Sequence, residues 1–173
     1  ILTYIDRYKD GLFGVDGLSG ANSLAISPDQ KHLYATGFWD SGLVLFSRDL
    51  ENGQLNFEMA YLDGANGVDG LENVSDVILS ADGQYLYAAG KADHAIALFS
   101  RDLNNGQLTY QGLFKNNTNG ISGLEGVHKM KISADGASFY ALGETSNALV
   151  HFQRNTGNGQ LTFVNAYEDA SAG

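Results

Sequence analysis

Short apolar runs of strand length alternate with glycine- and asparagine-rich turns along the whole chain. Between Asn22 and Leu62 four of them follow in order, "NSLAIS", "HLYATG", "GLVLFSRD" and "LNFEMAYL". Leucine, β-branched and aromatic residues dominate them. No stretch carries a capped 3.6-residue period, so the pattern predicts strands and almost no helix. The first and third runs are nearly continuous in apolar residues, as strands covered on both faces are. Pro28-Asp29, Asp82-Gly83 and Asp135-Gly136 separate the first run from the second and predict a hairpin, with the type I′ turn that Asp-Gly favours. The Asn-Gly of "ENGQL", "NNGQL" and "GNGQL" then turns the third run into the fourth.

This set of four recurs. Gln54, Gln107 and Gln160 each close an Asn-Gly-Gln triplet, 53 residues apart both times. The same step relates Tyr34, Tyr87 and Tyr140, then Phe46, Phe99 and Phe152, and then Arg48, Arg101 and Arg154. An arginine that returns in every unit is expected to hold its blade together, through turn carbonyls or through Asp49 and Asp102. Four short antiparallel strands repeated every 40–50 residues or so are the signature of a β-propeller blade. The predicted fold is all-β: a propeller arc of three four-stranded antiparallel blades at residues 11–63, 64–116 and 117–173. Residues 1–10 align, through "LTYIDRY", with the fourth strand of a preceding blade. Propellers typically have about 4–8 blades, and three would leave two broad apolar faces in water. The arc is therefore expected to be part of a larger or oligomerically completed ring, closed by the remaining blades of a longer chain or by a second copy. The start at Ile1 rather than Met points to a chain cut from something longer.

"SPDQKHLYATG", "SADGQYLYAAG" and "SADGASFYALG", each followed by a third strand of the "FSRD" type and by "NGQL", resemble the bacterial lactonase-like β-propeller family. That family includes seven-bladed 6-phosphogluconolactonases. The resemblance covers all three units. It implies the propeller fold and, for activity, lactonase-type hydrolysis; it assigns no catalytic residue to this chain.

Charge and composition remove several classes. Ten Lys and Arg stand against 20 Asp and Glu, a net charge of −10, and that field repels nucleic acid and anionic membrane surfaces. The absence of cysteine excludes disulfides, thiolate metal sites and cysteine nucleophiles. No apolar run approaches the roughly 18 residues of a spanning helix, so membrane insertion is not predicted. G-x-S-x-G, H-E-x-x-H and phosphate-loop motifs are all missing.

Candidate chemistry lies on loops. In a propeller, the loops from fourth to first strand and from second to third strand emerge on one face. The short loops "FWDSG", "KADHA" and "ETSNA" differ from unit to unit while the strands behind them repeat, which marks them as a binding surface. Phe38, Trp39, Asp40, Asp93, His94, Glu144 and Asn147 are the ligand-binding candidates, for a protein or glycan ligand; an exposed Phe38-Trp39 pair could stack on a sugar or anchor a protein. Asn22, Ser75 and His128 share one repeat position, and Ser23, Asp76 and Lys129 the next. These open the innermost strands and should ring the channel mouth, so Asp76, His128 and Lys129 are the catalytic candidates. Asp16, Asp63 and Asp69 lie on the long glycine loops. There they either cap turns or offer oxygens to Ca²⁺, the one cofactor considered. His151 replaces Leu45 and Leu98 and is expected to pack rather than react.

Two functions follow. The first is a non-catalytic ligand- or protein-binding scaffold module of a secreted or cell-surface bacterial protein, extracellular or periplasmic. The alternative is a lactonase-type hydrolase acting on a small lactone or sugar lactone. Hydrolysis needs a base and a stabiliser for the oxyanion, and only Asp76, His128 and Lys129 offer such groups together.

Overall fold

The computed structural model describes residues 4–169. Within them lie three four-stranded antiparallel sheets and no helix. The first contains β1 (Ala21–Ile26), β2 (His32–Gly37), β3 (Gly42–Arg48) and β4 (Leu55–Leu62). The second contains β5 (Val74–Leu79), β6 (Tyr85–Gly90), β7 (Ala95–Arg101) and β8 (Leu108–Lys115). The third contains β9 (Val127–Ile132), β10 (Ser138–Gly143), β11 (Ala148–Arg154) and β12 (Leu161–Glu168). Strands follow chain order in each sheet, and β1, β5 and β9 lie side by side along the channel. The result is a partial β-propeller of three blades.

The first hairpin turn differs from the expected type I′. Only Gly83 has a positive φ, 70°, and its N–H donates to the Ser80 carbonyl at 2.8 Å. This is a type I turn closed by one left-handed residue, where type I′ needs two. Asp82 has a second task that explains its place: its carboxylate accepts from the Ser80 hydroxyl at 2.5 Å and from the Gln84 N–H at 3.0 Å. Ser27 with Asp29, and Ser133 with Asp135, repeat the pattern.

At the other end of the second strand stands a glycine in every blade. A Cβ on Gly37, Gly90 or Gly143 would run into the carbonyl of Gly17, Gly70 or Gly123 in the loop that crosses above. The glycine lets that loop lie directly on the sheet, and so sets the height of the upper face.

Between blades the recurrent tyrosine and arginine meet. Tyr34 Oη donates to the Gly106 carbonyl at 2.6 Å and accepts from Arg101 Nε at 2.9 Å. One repeat on, Tyr87 Oη donates to Gly159 at 2.6 Å and accepts from Arg154 Nε at 2.7 Å. Burial pushes both tyrosines up to about 12, the arginines opposing it, so the hydroxyls keep their protons. The guanidinium also bonds its own blade's turn: Arg101 to Gly83 at 3.3 Å, Arg154 to Gly136 at 3.1 Å. The turn-carbonyl expectation thus holds, but the carboxylate does not. Asp102 caps its own turn through Asn104 N–H at 2.7 Å, and Arg101 pairs instead with Asp29 of the preceding blade at 2.9 Å. Against the penalty of partial burial, the Ser27 hydroxyl and this guanidinium hold the Asp29 carboxyl far below the usual range.

Apolar packing follows the same register. The third-strand phenylalanine of each blade meets the fourth-strand aromatic of the blade before it: Tyr61 with Phe99, and Phe114 with Phe152, at 6.1 and 6.4 Å. Tyr8 repeats the contact on Phe46 at 5.5 Å, and takes the Leu55 N–H at 2.9 Å as Tyr61 takes that of Leu108 at 2.7 Å. Ile1–Thr3 of the expected strand lie outside the described residues, and Tyr4–Lys9 pair with no strand. Tyr8 nevertheless does the work of a fourth-strand residue. Among the described residues the outer face of the first blade is uncovered: Leu24 is 64% exposed where Val77 and Met130 are 2%. On the last blade His151 stacks on Tyr140 at 4.8 Å, as a packing residue would.

Two outcomes follow for the full-length protein. Tyr87→Phe leaves Arg154 Nε and the Gly159 carbonyl buried and unpaired, and is expected to cost about 2–3 kcal/mol of unfolding free energy. In urea denaturation its effect and that of Arg154→Met should be strongly non-additive; additivity would contradict the coupling. At the first seam, Arg101 Nη2 donates to His32 Nδ1 at 2.7 Å, so the ring is neutral with its proton on Nε2. Burial and that guanidinium lower the His32 pKa below the ordinary value of about 6.5. The unfolded chain therefore binds the extra proton first, and the stability His32 contributes is present above about pH 6.5 and lost as pH falls through its folded value. His32→Tyr, the residue that Tyr85 supplies one blade on, should flatten the fall in unfolding midpoint between about pH 7 and 5; an unchanged slope would contradict this.

Candidate functional site

The innermost strands bring two of the three catalytic candidates, Asp76 and Lys129, into contact. Asp76, on β5, is 7% exposed and reaches both neighbouring blades. Its Oδ1 accepts from the Ser23 hydroxyl of β1 at 2.8 Å and from Lys129 Nζ of β9 at 3.2 Å, and its Oδ2 from the Met130 N–H at 2.9 Å. One carboxylate thus ties three blades at the channel wall, which it shares with Lys131 and Leu142 around a space of about 620 Å³. With both oxygens engaged, Asp76 is a poor base but a firm anchor for Lys129, whose side chain is 55% exposed.

His128 opens β9 at the mouth, half-buried. Its Nδ1 is buried and has no hydrogen-bond partner. Its repeat equivalents are satisfied: Ser75 Oγ donates to the Val127 and Ala89 carbonyls, both at 3.2 Å, and Asn22 Oδ1 accepts from Thr36 Oγ1 at 2.5 Å. Phe38, Lys91 and Glu144 form a second ring of positions, related by the same 53-residue step. Lys91 Nζ and Glu144 Oε2 pair across the seam, and that bond, then the Lys91 charge, lowers the Glu144 pKa, with His128 adding to the effect. Lys91 was not among the expected residues. Its repeat position, shared with Glu144, was the signal that could have found it.

Much of the variable loop surface fastens the fold. Asp40 Oδ2 accepts the Ser19 N–H and Asp93 Oδ2 the Glu72 N–H, both at 2.8 Å. His94 Nδ1 accepts the Gly126 N–H of the next blade at 3.0 Å, as Ser41 Oγ accepts that of Asn73 at 3.0 Å. Asn147 holds the same position on the third blade and is exposed. Phe38 and Trp39 meet edge to face at 4.7 Å, with Trp39 72% exposed.

Of the carboxylates proposed for a metal, Asp63 and Asp69 converge with Asp93 within 4.8 Å; Asp16 stands apart. Burial, then Asp93 and Asp69, raise the Asp63 pKa. Burial and the same three carboxylates push Tyr110 up to about 12. Lys115 stands 3.6 Å from Asp93. Asp63 also takes the Leu71 N–H at 2.9 Å, a loop bond that Asp10 makes to Leu18 at 3.0 Å and Asn116 to Leu124 at 3.1 Å. A neutral amide does that work as well as a carboxylate, so the position's recurrence is explained by loop closure.

With this geometry in view, the comparisons with known proteins are informative. The family described as "Lactonase, 7-bladed beta-propeller" matches residues 13–173. No curated protein matches the chain. Among solved structures, a Bacteroides uniformis protein assigned as a 6-phosphogluconolactonase is similar at 27% identity and a TM-score of 0.73, over 90% of this chain and 42% of that one. A Bacteroides fragilis protein with the same assignment is similar at 25% identity and 0.73, over 90% and 41%. The periplasmic gluconolactonase PpgL of Pseudomonas aeruginosa matches at 23% and 0.74, over 89% and 41%, a likeness of fold alone. The chain spans about two fifths of the length of these structures. A match that runs through all three blades and both seams leaves one assignment: the chain belongs to the lactonase family of seven-bladed β-propellers.

Proposed function

We propose that the ring containing these blades is a lactonase-type hydrolase acting on a sugar lactone, with the upper channel mouth as its reaction site. The observation that carries this reading is the family match over residues 13–173, supported by the two Bacteroides structures. The first expectation, a non-catalytic binding module, has no comparable support.

Lactone hydrolysis adds water to the ring carbonyl, passes through an oxyanion, and breaks the ring C–O bond as the ring oxygen takes a proton. A base must accept the water proton and return it to the leaving oxygen, and a positive group must face the oxyanion. Within this arc His128 suits the first role. Its Nδ1 is a buried polar atom without a hydrogen-bond partner, a cost of about 1–3 kcal/mol that its repeat equivalents Ser75 and Asn22 do not bear, and this difference supports a role for the ring. Lys129 suits the second, held in place by Asp76 and still open to solvent at its other protons. Lys91 and Glu144 pair on the adjoining loops, within electrostatic reach of His128.

Measured on the full-length protein with a sugar lactone, His128→Gln is expected to lower kcat by about 10²–10⁴ with KM little changed. The far-UV spectrum should be unaltered. Lactone turnover that survives the substitution would contradict the assignment of His128, and absence of turnover by the wild-type protein would contradict the reading as a whole.

A further inference from the structure

Trp39 is a large apolar side chain held out into water, and the repeat supplies two controls for it. At the same position the second blade has Ala92 and the third Thr145; at the position before, Phe38 faces Lys91 and Glu144. Only the first blade puts an aromatic pair there. Its indole is 72% exposed, yet it is fixed from two sides. Phe38 meets it edge to face, with ring planes at 90°. Gly20 lies beneath, at φ 72°, and a Cβ on that residue would collide with the indole. The same position is Asn73 in the second blade and Gly126 in the third, where Thr145 stands over the glycine as Trp39 stands over Gly20. A flat aromatic surface, backed by bare backbone and braced at its edge, is a platform with one face free.

Its place in the fold points toward the reaction site. Phe38 follows Gly37, which pairs with Ala21 where β1 reaches the channel mouth. Asn73, just before β5, donates its Nδ2–H to the Phe38 carbonyl at 3.1 Å, which pins the loop to the second blade. Phe38 also occupies the repeat position that Lys91 and Glu144 hold in the next two blades. Around this rim the cations are already paired: Lys91 with Glu144, Lys129 with Asp76, Lys115 with Asp93. What blade one adds to the rim is therefore an apolar plane rather than an ionic clamp. The ligand class that such a plane selects is one with a flat, C–H-rich face and polar edges, which describes a sugar ring.

We propose that Trp39, framed by Phe38 and backed by Gly20, is a stacking subsite for the C–H face of a sugar ring at the channel rim, and determines specificity for sugar lactones over lactones without such a face. This rests on the hydrolase reading above and names the substrate group the first blade contacts.

The test uses the full-length protein and D-gluconolactam, which has the sugar ring but is not hydrolysed. Trp39 reports through the part of the tryptophan emission that Trp39→Phe removes. Saturable change in that emission on adding the lactam, at least about tenfold weaker lactam binding in Trp39→Ala, and recovery of most of the affinity in Trp39→Tyr are expected. Pyrrolidin-2-one, a lactam lacking the sugar face, should cause no such change. With a sugar lactone as substrate, Trp39→Ala should raise KM by a similar factor and leave kcat nearly unchanged. Equal lactam binding by wild type and Trp39→Ala, or no lactam binding by either, would overturn the subsite. The two readings fail separately. Trp39-dependent lactam binding without lactone turnover keeps the platform and removes the hydrolase, whereas His128-dependent turnover with KM insensitive to Trp39→Ala does the reverse.

Discussion

One buried hydroxyl per seam sets the geometry of this protein. Tyr34 and Tyr87 each sit between an arginine Nε of the following blade and a glycine carbonyl of that blade's last turn. A hydroxyl that both donates and accepts in a dry seam fixes its two partners at once. A blade slipped by one residue would strand three polar groups, among them an arginine that is only 4–6% exposed. The apolar contacts between blades are broad and tolerant of sliding; the tyrosine is what makes one register right. At the first seam Arg101 adds Asp29 and His32. At the second, Arg154 instead lies 5.5 Å from the face of Tyr85, one nitrogen unpartnered, so the tyrosine bond is the part both seams share.

Once the blades are locked, equal positions in successive repeats become neighbours in space. That is why Ser23, Asp76 and Lys129 meet at the channel wall, and why Lys91 finds Glu144 above them. The scaffold turns a step of 53 residues into rings of adjacent side chains around the mouth. Residues at these ring positions also bond across the seams, Asp76 to Ser23 and Lys129 and Lys91 to Glu144, yet their types differ from blade to blade. In this chain they have diverged into a carboxylate, an ammonium, an imidazole and an aromatic plane. A fold that repeats and a mouth that does not are two results of the same packing.

The strands and the blades were legible because strand period and repeat step report directly on packing that each blade must repeat; the recurrent tyrosine and arginine stood out as positions, but their meeting between blades did not. Turn detail was less so. Asp82-Gly83 is compatible with a type I′ turn, and only the bond from the Ser80 hydroxyl to the Asp82 carboxylate shows why the aspartate stays right-handed. The loop residues misled in a more instructive way. Ser41 and His94 look divergent, yet each accepts one N–H from the next blade, since a hydroxyl and an imidazole can meet the same hydrogen-bond geometry. Variation in residue type was therefore compatible with constancy of role. Trp39, by contrast, has no aromatic counterpart in the other two blades, and it is 72% exposed.

The central claim is that the mouth defined by these rings is where a lactone reacts. A crystal structure of the full-length protein with D-gluconolactam bound tests it most directly. The account predicts the lactam at the upper mouth, its carbonyl turned toward Lys129 and His128 at hydrogen-bonding distance, about 3 Å. A lactam seated on the opposite face, or a mouth sealed by side chains of the other blades with His128 out of reach, would contradict it.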